Sequence, residues 1–380
     1  MKRKFFGLLL FVVCLSTTLL AQINLNQPIP FDPNVRIGKL KNGLSYYIRK
    51  NSKPENKVEF RLAINAGSVL ERDDQQGYAH FLEHLAFNGT KNFKKNELVS
   101  YLQSIGVEFG AHLNAYTSFD ETVYQLSIPT EKKELLDKGL LVMQDWASSL
   151  SLDPAEVKKE QGVVLEELRL GKGADQRMSD KYFPKLFYGS QYAKRLPIGK
   201  KELLEKVNYK ALVDFYEDWY RPDLMALAVV GDINVDEIEA KIKANFSSIK
   251  TKRKNKPRPT FAIPDHQETL VAIETDKEAI FTSAQLLFKK PLFKEKTQAD
   301  LRQQLIRQFY NGMLNARLDE IRQSPNPPFL GAGVGFSSFS RDKDSYSMSS
   351  NTNPEGLKRA ITTLLVENRR VQEFGFTTPE

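Results

Sequence analysis

The chain contains four histidines, and two of them, His80 and His84, sit four residues apart with Glu83 between them. They belong to the stretch Gly77 to Gly89, which reads Gly-Tyr-Ala-His-Phe-Leu-Glu-His-Leu-Ala-Phe-Asn-Gly. At about 100° per residue, a helix here gathers His80, Glu83 and His84 within one arc of roughly 100°. Tyr78, Ala79, Phe81, Leu82, Leu85 and Ala86 fill the opposite side, so the helix is predicted to pack internally with its polar stripe on a cavity. Asn88-Gly89 is a helix stop. Histidines at i and i+4 can grip one metal ion, and a carboxylate one turn away can take a proton from water held beside it. The competing reading is a helix whose polar stripe is only solvated or salt-bridged. Against it, the other histidines are just His112 and His266, so half of a scarce residue type falls at ligand spacing.

A two-histidine site needs a further protein ligand. Asp153-Pro154-Ala155-Glu156 is a strong helix start, with an acidic N-cap, proline at the first helical position and glutamate at the third. The helix it opens carries Glu160, Glu166 and Glu167. Seven residues are nearly two turns, so Glu160 and Glu167 share a face and Glu166 points elsewhere. A solvated acidic helix is the alternative, but this is the best acidic pair downstream of the histidines.

These residues need a scaffold, and the apolar pattern supplies one. Residues 22–36 read as an extended lead-in, and 36–50 as a hairpin turning at Asn42-Gly43. Residues 58–64 alternate as a core strand; 95–105 read as a helix, 108–118 and 122–128 as a strand pair, and 132–150 as a long helix. Helices over 182–188, 208–219 and 236–246 and a buried strand over 225–230 complete an α+β domain ending near residue 249. The basic segment 250–261 reads as a linker.

Beyond it the order repeats: strands at 269–275 and 282–289, a helix at 298–323, a strand pair within 329–350 and a helix from 354 to about 373. Phe87-Asn88-Gly89 matches Tyr310-Asn311-Gly312, Ser118-Phe119 matches Ser338-Phe339, and Tyr124 matches Tyr346, all near one offset. In that alignment His80, Glu83 and His84 become Gln303, Ile306 and Arg307, so the second copy is expected to bind no metal. Gly331-Ala332-Gly333-Val334-Gly335 falls on a sheet strand, which argues against a dinucleotide loop. The division is therefore a leader (1–21), a first domain that carries the histidine motif (22–249), a linker (250–261) and a second, incomplete copy (262–380).

Lys2, Arg3 and Lys4 precede an uncharged apolar run from Phe5 to about Leu20 that ends in Ala21-Gln22, the pattern of a secretory signal peptide. The run is near the short limit for spanning a bilayer, so no stable membrane span is expected after cleavage. The single cysteine, Cys14, lies inside it, which leaves a cysteine-free chain suited to an oxidising compartment. Export across the inner membrane to a periplasmic or extracellular location is expected. The formal charge of +8 includes three cations in the leader and six within 250–258, leaving the rest near neutrality. There is no general excess of cations for nucleic acid.

The motif His80-Phe81-Leu82-Glu83-His84 has the inverzincin order, and with the glutamate helix and the duplicated domain the chain resembles the pitrilysin or insulinase family of zinc peptidases. Leu113 to Ser118, Arg195-Leu196-Pro197-Ile198-Gly199, Tyr220-Arg221-Pro222 and Val229 to Asp232 carry the same resemblance, which covers about residues 30–380. It implies duplicated α/β-sandwich domains of the pitrilysin and processing-peptidase type, the second copy incomplete. By the same resemblance one Zn2+ per chain would be held by His80, His84 and Glu167, with Glu83 as general base and Glu160 orienting the site. The strand Asn114, Ala115, Tyr116 and Thr117 would bind a peptide or unfolded polypeptide as an added β-strand. Active members enclose substrate between two halves, so the resemblance implies that this chain is an N-terminal portion. The second homologous half would come from a longer parent chain or a partner subunit. A metalloendopeptidase is the expected function. The alternative is an inactive or incomplete family subunit that acts as a protein-interaction partner.

Overall fold

The computed structural model describes residues 24–380 apart from Asn96 and Phe109, so the leader expected over 1–21 lies outside the described residues. The chain forms two compact units, one of residues 32–280 and one of 24–31 with 281–380.

In the first unit, alternating apolar residues build six strands: β1 (Val35–Lys39), β2 (Ser45–Lys50), β3 (Lys57–Ile64), β4 (Leu113–Thr117), β5 (Thr122–Pro129) and β6 (Met225–Gly231). They form one sheet in the order β1-β2-β6-β3-β5-β4. Only β2 and β6 run parallel. Phe60 lies opposite Leu126 and Val229, and Leu62 opposite Tyr124 and Leu227, so every second residue contributes to one buried face. The helices are α1 (Tyr78–Asn88), α2 (Glu97–Ser104), α3 (Lys133–Ser148), α4 (Pro154–Leu170), α5 (Ala174–Leu186), α6 (Tyr209–Trp219) and α7 (Val235–Phe246), with a single turn at Lys201–Leu204. Gly139 lets α3 approach the sheet closely: a Cβ there would stand 2.7 Å from Ile128 Cδ1. Trp146 of α3 stacks on Tyr124 and donates its indole N–H to the Ala86 carbonyl at 3.0 Å, tying α3 to α1.

The second unit has β7 (Thr282–Pro291), α8 (Gln298–Arg322), β8 (Gly331–Ser338), β9 (Lys343–Thr352) and α9 (Leu357–Phe374). Its sheet order β7-β9-β8 repeats β3-β5-β4 of the first unit, with helices at matching places, as the internal repeat predicts. Tyr346 packs with Met348, Leu314, Leu318 and Leu364 in its core.

Three expectations are corrected. The segment 250–261 is no free linker. Arg253 pairs with Asp214 and Glu217, Lys256 with Asp218 and Arg258 with Asp120, and Lys252 lies over the Tyr216 ring, so four of its six cations are engaged by the first unit, which runs on to residue 280. Residues 269–275 form no strand; the chain there is held by α5 side chains, with Lys185 Nζ donating to the Val271 carbonyl at 2.6 Å. Residues 24–31 belong with the second unit, because Ile29 N–H bonds the Lys296 carbonyl and Gln298 and Ala299 N–H bond those of Gln27 and Leu25.

Candidate metal centre

Helix α1 starts at Gly77, whose φ of +102° suits glycine and which offers no side chain to cap the helix. The cap comes from Glu71, whose buried carboxylate accepts from Gly77 N–H at 3.0 Å and from Ala79 N–H at 2.8 Å. Burial pushes the Glu71 carboxyl up to about 8, against the pull of those N–H donors. The loop Arg195–Gly199 clamps this end of the helix. Arg195 Nε donates to the Glu71 carbonyl at 2.8 Å, and Gly199, at φ +80°, comes so close that a Cβ there would lie 2.3 Å from Gly77 Cα. A glycine N-cap needs a donor-satisfying group from elsewhere, which was the available signal for Glu71; sequence reasoning missed it.

On the polar stripe of α1, His80 and His84 meet edge to face, their Nε2 atoms 3.2 Å apart. Helix α4 brings Glu167 against both: Oε1 lies 3.6 Å from His80 Nε2 and Oε2 3.1 Å from His84 Nε2. One ligand atom from each of the three residues can lie within 4.8 Å of the others. Glu166 faces away and makes a two-point ion pair with Arg169. Glu160, one face-repeat before Glu167, accepts from His84 Nδ1 at 2.8 Å and from the Asn88 amide. Asn88 was read only as part of the helix stop, and its side-chain role was missed.

The donor set fits a tetrahedral metal. Metal–ligand distances of about 2.0–2.2 Å give ligand–ligand edges of roughly 3.3–3.6 Å, which the separations above approximate. Burial and the neighbouring His84 drive His80 down to about 4, so its imidazole is neutral at neutral pH. His80 Nδ1 is buried with no hydrogen-bond partner. Burial alone would lower His84, but the bond to Glu160 and the surrounding carboxylates raise it. Its Nδ1–H directed at Glu160 leaves Nε2 with a free lone pair. Glu160 is held below its ordinary value, because the His84 and Asn88 bonds outweigh its burial.

Glu83 is buried beside this group, and burial raises its carboxyl. Its Oε2 accepts from Thr117 Oγ1 at 2.6 Å. Behind it, the hydroxyls of Tyr124 and Tyr220 meet at 2.9 Å in a fully buried wall. Strand β4 is the outer strand of the sheet, paired to β5 alone. Of the four residues expected along a substrate, Asn114 and Tyr116 are exposed, while Ala115 and Thr117 are half-buried. Ala115 N–H is taken by Asn114 Oδ1 at 2.9 Å, and Tyr116 OH donates to Glu121.

Comparison with known proteins matches residues 46–194 to the family model "Insulinase (Peptidase family M16)" and residues 206–380 to "Peptidase M16 inactive domain". A "Zinc protease PQQL-like" of Arabidopsis thaliana is 37% identical over 298 residues, covering 78% of this chain and 31% of that protein. The "Probable zinc protease PqqL" of Escherichia coli (strain K12) is 32% identical over 355 residues, covering 93% of this chain and 38% of that protein. The chain thus spans about a third of the length of the curated relatives it matches. Among solved structures, the first half of the periplasmic protease PqqL from Escherichia coli superposes with a TM-score of 0.82 at 31% identity, covering 93% of this chain and 75% of that one.

Proposed function

The chain belongs to the insulinase family of peptidases (family M16), and from that premise we propose that it is the catalytic portion of a zinc-dependent metalloendopeptidase. The observation that carries the reading is the convergence of His80 Nε2, His84 Nε2 and the Glu167 carboxylate beside a buried Glu83. His80, His84 and Glu167 would hold one Zn2+, which when bound acts as a Lewis acid toward water and the scissile carbonyl.

The chain's own residues supply the rest. Glu83 takes the proton of the attacking water and returns it to the leaving amine. Glu160 fixes the ring of His84, and Asn88 fixes Glu160. The free edge of β4, over Asn114, Ala115, Tyr116 and Thr117, receives a peptide or small unfolded polypeptide as an added strand, with main-chain hydrogen bonds doing most of the recognition. A second homologous half, in a longer parent chain or a partner subunit, encloses the substrate; a related protease is itself described by its first half.

Among the described residues no helix is long and apolar enough to cross a membrane. The basic-then-apolar leader and the periplasmic description of PqqL support export across the inner membrane to the periplasm or beyond.

The test is metal content by plasma mass spectrometry on the purified protein, beside Glu167→Gln and Glu166→Gln. One zinc per chain, lost with Glu167→Gln and kept with Glu166→Gln, is the expected result. No metal after refolding with zinc overturns the reading in favour of a non-catalytic interaction subunit.

A further inference from the structure

The side chain of Thr117 does not face the open edge along which substrate would lie. In β4, Leu113, Ala115 and Thr117 share one face, and Asn114 and Tyr116 the other. The register sets Thr117 opposite Thr122, their hydroxyl oxygens 3.5 Å apart. Thr122 spends its proton on the Ala66 carbonyl at 3.0 Å, which leaves the Thr117 proton for Glu83 Oε2 at 2.6 Å. No other side chain among the described residues donates to the Glu83 carboxylate, and none engages Oε1. One oxygen is thus fixed and the other is free to accept.

We propose that Thr117 is a positioning residue for Glu83: its hydroxyl clamps Oε2 and so aims Oε1 at the proton to be taken. The inference rests on the peptidase reading above and concerns the side chain of Thr117 alone. Glu83 has several rotatable bonds, and the Thr117 hydroxyl holds the far end of its side chain. The strand is anchored by its ladder to β5, and Thr122 is held in turn by Ala66, so the clamp has a rigid support. A general base misplaced by about 1 Å loses on the order of 100-fold in rate. A clamp of this kind acts on the chemical step and leaves ground-state binding alone.

The experiment compares Thr117→Val and Thr117→Ser in the full-length polypeptide, with a fluorogenic peptide as probe. Valine keeps the volume and the strand preference while removing the hydroxyl. With Thr117→Val, kcat should fall roughly 10- to 100-fold while KM and zinc content stay within about twofold, and Thr117→Ser should recover most of the loss. In a Glu83→Gln background, where only slow residual cleavage remains, adding Thr117→Val should leave the peptide Kd within about twofold and cause no further loss of that residual rate. An increase in KM or Kd with kcat unchanged would mean that Thr117 binds substrate directly, and the proposal would fall. Loss of zinc with Thr117→Val would make the effect one on the whole site and overturn it equally. If Glu83→Gln itself leaves hydrolysis unchanged, the peptidase reading fails instead.

Discussion

Helix α1 and its counterpart α8 occupy the same place in two units of matching topology, yet they solve opposite problems. Helix α1 has eleven residues, most of them buried, including His80 and Glu83. Helix α8 has twenty-five, of which only Leu314 and Leu318 are buried. In α8 the position of Glu83 is Ile306, 41% exposed, and the position of His84 is Arg307, whose guanidinium lies over Phe293 and Phe336. A buried carboxylate or imidazole is costly without partners, and α1 has them in α4 and β4. No counterpart of α4 is present among the described residues of the second unit. Polar groups are retained inside the first unit because they are paired; the matching stretch of α8 instead carries exposed apolar residues, Leu305, Ile306 and Phe309 among them. The tyrosines show the same contrast. Tyr124 meets Tyr220 behind Glu83, whereas Tyr346 meets Tyr310 and Asn368 in a closed structural network.

The comparison can be broken or sharpened by experiment. Glu83→Gln should lower peptide hydrolysis by about 100- to 10,000-fold with zinc retained, while Ile306→Gln, its positional equivalent, should leave the rate within twofold. A comparable loss from both would show that the two helices act together. Glu160→Gln should weaken zinc binding about 10- to 100-fold in chelator competition, since it orients His84 from outside the ligand set. Unchanged affinity would remove it from the site.

Glu71 gives a smaller, pH-dependent effect. Its folded value of about 8 lies above the ordinary 4.5, so the fold binds more protons than the unfolded chain between those values. That contribution to stability is complete below about 4.5 and is lost as pH rises through about 8. Thermal midpoints should therefore fall by a few degrees from pH 5 to 8.5, and Glu71→Gln should flatten that part of the slope. An identical slope in the variant would assign the titration elsewhere. The smallest effect is expected from grafting Gln303→His, Ile306→Glu and Arg307→His into α8. Zinc should remain at one per chain, because no third ligand faces that helix among the described residues; a second equivalent would refute the role given to α4.

Much of this was legible locally. The i, i+3, i+4 spacing of His80, Glu83 and His84 put them on one face, and the seven-residue spacing of Glu160 and Glu167 put those two on another. The capping signal of Asp153-Pro154 started α4 where expected, its side chain accepting from Ala155 N–H at 2.7 Å. Alternation along 58–64 and 122–128 marked the central strands. Where reading failed, the deciding contact was distant in sequence. Six cations in a short proline-containing segment look like a solvated linker until the acids of α6 and Asp120 are seen to meet three of them, Arg253, Lys256 and Arg258. Residues 269–275 have strand-like alternation, but α5 side chains took the place of a partner strand.

Residue type and period alone determined the histidine pair, the carboxylate beside it, the acidic helix and the duplication, because helix and strand geometry translate spacing directly into shared faces. Only the tertiary structure decided that Glu167 meets both imidazoles while Glu166 turns to Arg169, that Glu71 caps a helix starting on glycine, and that Thr117 turns inward to Glu83. Each of those outcomes depends on which element packs against which, and no local repeat carries that information.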